Sequence, residues 1–160
     1  MILAFFITFA VSILILSFLH RYRRRFTAFQ LVLLFLVASY LCQNTFYKLF
    51  SPYDRISITD NLWAKISIKL HFGVILPVLL IGIIFMSRSN NKLTISFSIL
   101  GWAAFIVASE KYYLFSGILK KNGENWFPQI DFIFALIVIF MTFVIKKYLY
   151  RLLMRERLQT

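Results

Sequence analysis

His20-Arg21-Tyr22-Arg23-Arg24-Arg25 separates two stretches, 1–19 and 26–47, that contain no charged residue. Each is close to the roughly 20 residues an α-helix needs to cross a bilayer. Four arginines between two such spans belong on the cytoplasmic side, because the bias of Lys and Arg orients membrane helices. The first span is therefore read as N-terminus outside, and each later loop follows by alternation. A cleavable signal peptide would put basic residues before a shorter apolar run, the reverse of the order here. The first span is thus expected to be a retained helix.

The whole chain agrees with that beginning. It is 61% hydrophobic and 19% aromatic, whereas soluble domains have roughly 45–50% apolar residues. The formal net charge of +12 does not imply a nucleic-acid partner, since Lys and Arg fall in short clusters between apolar runs. These clusters read as topology signals and lipid headgroup contacts, with Arg21, Arg23, Arg24, Arg25, Lys146 and Lys147 in that role. Cys42 is the sole cysteine, which rules out an intramolecular disulfide and a CxxC motif.

Five spans are expected, at about 1–19, 26–47, 64–86, 93–114 and 129–147, forming one all-α transmembrane domain over 1–160 with N-out/C-in topology. The charge count supports the alternation. Eleven basic residues and one acid fall inside, against seven basic residues and five acids outside. Ser51-Pro52-Tyr53-Asp54 reads as a turn, and Thr59 and Asp60 as N-cap candidates for a third helix opening at Asn61 or Leu62. Pro77, four residues after Gly73, predicts a kink in that helix. The fourth span carries Thr94, Ser98, Gly101, Ala104 and Ala108 at steps of three and four, a small-residue stripe of the kind that lets membrane helices approach closely. It is read as the packing face of the bundle's central helix. Lys120-Lys121-Asn122-Gly123-Glu124-Asn125 reads as a turn by composition. Residues 148–158 allow either a basic amphipathic helix on the inner surface or a frayed tail.

Polar residues collect in the outer leaflet. Gln43 and Lys48 lie on the second span, Lys69 and His71 on the third, and Glu110 and Tyr112 on the fourth; together they form the candidate ligand-binding set. Intramembrane ionisable groups are functional candidates by default, and the plain alternative is that they snorkel and knit helices together. No catalytic residue and no metal site is assigned. His20 and His71 fall in opposite leaflets, which disfavours a haem held by both, and no hydrolase, metalloprotease, P-loop or dinucleotide fingerprint occurs.

From about Phe29 to Tyr148 the pattern resembles the small DoxX-like and MauE-like membrane proteins. The matching features are Gln43-Asn44-Thr45-Phe46-Tyr47-Lys48-Leu49-Phe50 closing the first family helix, the apolar helix from Ile66 to Met86, the small-residue helix with Gly101 and Ala104, and Asp131 opening Phe132-Ile133-Phe134-Ala135-Leu136. The resemblance implies a four-helix bundle, redox or thiol-linked electron transfer at the membrane, and neighbouring subunits. The chain departs from the family in its additional N-terminal helix and in having Lys69 and His71 where an acidic residue belongs. With Cys42 alone, it also lacks the thiols for a dithiol cycle.

The expected function is a non-catalytic multi-pass protein acting as an accessory or subunit of a membrane complex, with the lipid bilayer and other membrane subunits as partners. The bacterial cytoplasmic (inner) membrane is the expected location. The first alternative is a DoxX-like redox module binding a quinone or haem at the outer polar cluster. The second is a small transporter, against which stands the lack of an acid near mid-membrane.

Overall fold

A computed structural model describes residues 2–22, 27–50, 56–87, 92–122 and 128–157; for residues 21, 46–50, 150 and 152–157 it describes the backbone alone. Arg23, Arg24, Arg25, Arg88 and the turn at 51–54 lie outside the described residues. In chain order the elements are α1 (Ile2–Tyr22), α2 (Ala28–Phe50), β1 (Ile56–Ile58), α3 (Leu62–Leu70), a π-helical segment (His71–Ile75), α4 (Leu76–Met86), α5 (Lys92–Phe115), β2 (Leu119–Lys121) and α6 (Pro128–Arg157). Among these residues are five helices long and apolar enough to cross a membrane: Ile2–His20, Ala28–Thr45, Leu62–Met86, Lys92–Phe115 and Pro128–Leu149. Their outer surfaces carry Leu3, Phe6, Leu14, Phe29, Phe97 and Phe140, all exposed. Apolar exposure on this scale suits hydrocarbon rather than water.

The centre of the bundle is the third span and not the fourth. Within the most apolar 18 residues of each span, 72% are buried in the third, against 28% in the fourth and fifth, 22% in the second and 17% in the first. The α3–π–α4 rod touches α1, α2 and α5, while α6 closes a four-helix ring by packing on both α5 and α2. α1 lies outside that ring, against the rod. The expected packing role of the α5 stripe is overturned as well. Gly101, Ala104 and Ala108 are exposed, and a Cβ at Gly101 would meet nothing within 4 Å. The face α5 turns inward instead carries Trp102, Ala103, Ile106, Glu110 and Tyr113. Trp102 packs there and gives its indole N–H to Leu76 O of the rod; in lipid, close packing and interhelical hydrogen bonds of this kind, not apolar burial, set the rotation of a helix.

Helix ends show how the rods run. Phe5 lies 4.9 Å from Trp63, ring centre to ring centre, and Tyr22 lies 5.0 Å from Phe85, so α1 is parallel to α3–π–α4. The loops after α2 and α5 meet at one end as a two-stranded antiparallel sheet pairing Ile56 with Lys121, Ser57 with Lys120 and Ile58 with Leu119. Lys120 and Lys121, read as turn residues from composition, are therefore strand residues, and residues 123–125 of that expected turn lie outside the described residues. Their partner strand lies some 60 positions earlier, beyond any local pattern. Ile56, Ile118 and Leu119 point under this cap and are buried. Thr59 donates its hydroxyl to Gly117 O (2.6 Å), and Gly117 takes φ 72°, a left-handed turn conformation suited to glycine. The third helix is capped by neither Thr59 nor Asp60: Asn61 accepts from Trp63 N at 2.9 Å, leaving Asp60 to pair with Lys65.

At the opposite end, Leu31, Leu34, Ile81 and Ile84 form a second core, flanked by Leu19, Tyr22, Phe35, Phe85 and Leu149. Lys146 Nζ donates to Ser87 Oγ (3.1 Å), and Lys147 and Arg151 are exposed. α6 runs unbroken to Arg157, so the tail continues the span as a helix. Its 30 residues rise about 45 Å.

Candidate functional site

Pro77 organises the polar interior. A proline inside a helix has no N–H for the carbonyl four residues earlier, and its ring strikes that carbonyl, at a cost of about 3 kcal/mol or more if nothing compensates. Here the carbonyl belongs to Gly73. The chain responds by widening into the π segment, where Leu76 N donates to His71 O. Such single π turns are frequent at functional sites. Ser39 of α2 supplies the missing donor, its hydroxyl giving a 2.9 Å hydrogen bond to Gly73 O. Gln43, one turn on, donates from Nε2 to Ser39 Oγ at 3.2 Å. The approach is close because residue 73 has no side chain: a Cβ there would stand 2.7 Å from Gln43 Nε2. In a bilayer, where water cannot satisfy a freed carbonyl, a hydroxyl from a neighbouring helix is one of the few available donors.

α5 holds the other side of the rod. Trp102 Nε1 donates to Leu76 O at 3.2 Å, and Ser109 Oγ lies 2.9 Å from His71 Nε2. Ser109 also donates to Ile106 O at 2.7 Å. The His71 ring is buried among aromatic rings, with Phe72 and Tyr113 both at 5.2 Å and nearly perpendicular, and Phe105 at 5.8 Å.

The six residues singled out by sequence occupy different surroundings. Gln43 is half-buried on the π segment, and His71 and Glu110 lie inside the bundle at 2% and 0% exposure. Lys69 and Tyr112 are exposed. The side chain of Lys48 lies outside the described residues. Thus Gln43 and His71 both meet the π segment, although from α2 and from the rod itself, while Lys69 points away.

Several residues of this layer escaped the sequence reading. A small cavity lies between α2, the π segment, α5 and α6, with about 10 Å³ of room, close to what one water needs. Its wall is apolar, built by Phe72, Leu76, Trp102, Ile106, Ala135 and Val138, with Cys42, Thr45 and Asp131 as the other lining residues. Asp131, read from the sequence as part of the outer polar group, is 1% exposed, and helical spacing agrees with an inward face: Asp131, Ala135, Val138 and Thr142 recur at three and four, and all are buried. Ser39 shares the polar face of the second span with Cys42 and Gln43 by helical spacing, whereas Trp102 and Ser109 carried no sequence signal, because their roles depend on which atom of the rod faces them. Among the described residues no group of three or more His, Cys, Asp and Glu side chains could hold a metal ion.

Chemically, the layer offers buried hydrogen-bonding groups on the rod and α5, two carboxyl groups inside the bundle, and one thiol. The chain matches no family model, no curated protein and no solved structure.

Proposed function

We propose that the chain is a multi-pass integral membrane protein that serves as a non-catalytic subunit or accessory of a larger membrane complex, with the sheet end outside and the basic end in the cytoplasm. One observation carries the reading: the α5 stripe of Gly101, Ala104 and Ala108 faces away from its own bundle, with open space at Gly101. Small-residue stripes are how helices pack against each other in lipid, where there is no hydrophobic drive between them. Turned outward, this one offers a backbone-close surface to a helix of another polypeptide. The interior supports the same reading, since Ser39, Trp102 and Ser109 make hydrogen bonds to the rod and Gln43 makes its own to Ser39.

The test is affinity purification in mild detergent followed by mass spectrometry, comparing wild type with Gly101→Leu. A stoichiometric membrane partner that is lost in the variant supports the proposal. A wild-type protein that purifies alone, or a partner indifferent to the substitution, defeats it. Orientation is read separately from a reporter fused at Thr160, which is expected to respond as cytoplasmic. The bacterial inner membrane is the proposed location.

A second reading, a redox or ligand-binding module of the kind the DoxX-like resemblance implies, draws on a different observation. His71, Glu110 and Asp131 are all buried inside the bundle, and ionisable groups placed there commonly mark ligand or proton sites. A visible absorption spectrum of the purified protein, with extraction and assay of bound quinone, decides it. Absence of both chromophore and quinone removes this reading.

A further inference from the structure

We propose that the Gln43–Ser39–Gly73 relay is a latch that holds the π segment in register and, through Phe72 and Leu76, keeps the cavity beside Cys42 shut. The inference starts from the acceptor. Gly73 O is the carbonyl that Pro77 both deprives of a donor and pushes aside, and Ser39 Oγ reaches it at 2.9 Å. The hydroxyl can keep that direction because Gln43 Nε2 donates into the same oxygen at 3.2 Å, leaving the serine hydrogen for the carbonyl. Gly73 is the position at which the amide can sit this close, since a Cβ would be 2.7 Å from Gln43 Nε2.

The relay controls more than one bond. Phe72 and Leu76, within and directly after the π segment, form the wall of the cavity facing α5 and α6, and Cys42 and Thr45 of α2 form another part of it. Ser39 lies one turn before Cys42, so the latch and the cavity share the α2 face. With the hydroxyl removed, Gly73 O would sit in a dry interior without its donor. A segment that holds one extra residue per turn can relieve this by shifting its hydrogen bonds by one position. Such a shift carries Phe72 and Leu76 with it and opens a path to Cys42. The thiol is 3% exposed in the latched state and is the chain's single cysteine, which makes it a native reporter of opening.

The experiment measures the rate at which N-ethylmaleimide labels Cys42 in the full chain in lipid nanodiscs, by intact-mass spectrometry. Ser39→Ala is expected to label at least tenfold faster than wild type, and Ser39→Thr, which keeps the hydroxyl, within about twofold. Pro77→Ala restores an N–H that can serve Gly73 O, so Ser39→Ala combined with Pro77→Ala is expected to return towards the wild-type rate. That rescue separates a latch from general loosening, in which a second interior substitution would add to the first. If Ser39→Ala yields no folded protein, Gln43→Met with and without Pro77→Ala decides on the same terms with a smaller expected rise, about threefold. Equal rates for wild type and the latch variant, or fast labelling that Pro77→Ala fails to suppress, overturn the proposal.

Discussion

Gly73 and Gly101 are both glycines inside long apolar helices, yet they sit in opposite surroundings. Beside Gly73, the side chain of Gln43 comes so close that a methyl group would collide with it, 2.7 Å from Nε2; beside Gly101, nothing lies within 4 Å. The rod that carries Gly73 is the buried axis of the bundle, whereas α5 shows Gly101 to the outside. A small residue in a membrane helix therefore marks a place where something comes close, but the approaching group need not belong to the same molecule.

The strongest way to break this contrast is Gly73→Leu. The added side chain would displace the Gln43 amide from Ser39 and crowd the α2 side of the rod, with an expected loss of about 1–3 kcal/mol. Thermal unfolding in nanodiscs checks it; a wild-type melting temperature would mean that the close approach of Gln43 to Gly73 contributes nothing to stability. Trp102→Phe comes next. It keeps most of the ring but removes the hydrogen bond to Leu76 O, 3.2 Å long, and interhelical hydrogen bonds in membranes are worth about 0.6 kcal/mol on average and about 1.7 at most. The same melt measures it, and a loss well beyond that range would show that ring packing, rather than the N–H, holds α5 to the rod.

Gly101→Leu sharpens the other half of the comparison. For the isolated chain the melt should stay within about 0.5 kcal/mol of wild type, as for surface substitutions away from special features. A large loss would place the glycine in a contact that the fold does not contain. The smallest effect belongs to Asp60, which precedes the third span and is paired with Lys65. The hydrogen bond from Lys65, followed by its charge, holds the Asp60 carboxyl below the usual carboxylate range. Because the folded-state value is lowered, the stabilisation is complete at neutral pH and is lost as pH falls through that lowered value. Both groups are exposed, so the pair contributes little. The melting difference between wild type and Asp60→Asn should be barely measurable at pH 7 and should shrink further as pH falls through the lowered value; a difference that grew on acidification would contradict the assignment.

Much of this architecture was legible in the sequence because one physical term dominates it. A helix that crosses hydrocarbon must be long and apolar, so the five runs and their approximate limits follow from hydropathy alone. Pro77 and Gly73 likewise announced a break in the third span, since the missing N–H is a property of the residue itself. The rotation of each helix is another matter. α5 had two faces with a plausible packing pattern, one small and one aromatic, and periodicity weighs them equally. Packing of Trp102 and Tyr113 against the rod settled the choice, which turned Gly101 outward.

The same division runs through the candidate site. That polar groups gather towards one end of the helices could be read from Gln43, Lys69, His71 and Glu110. That Lys69 points out while His71 meets Ser109 could not, because two residues two positions apart on a helix face different ways and only the neighbours decide which way is inside. The residues themselves thus determined the number and length of the spans, the charge asymmetry and the position of the break. Tertiary structure alone decided which span is central, which strands pair across 60 residues, and which hydroxyl satisfies Gly73 O, because each of these is a contact between segments that no local pattern connects.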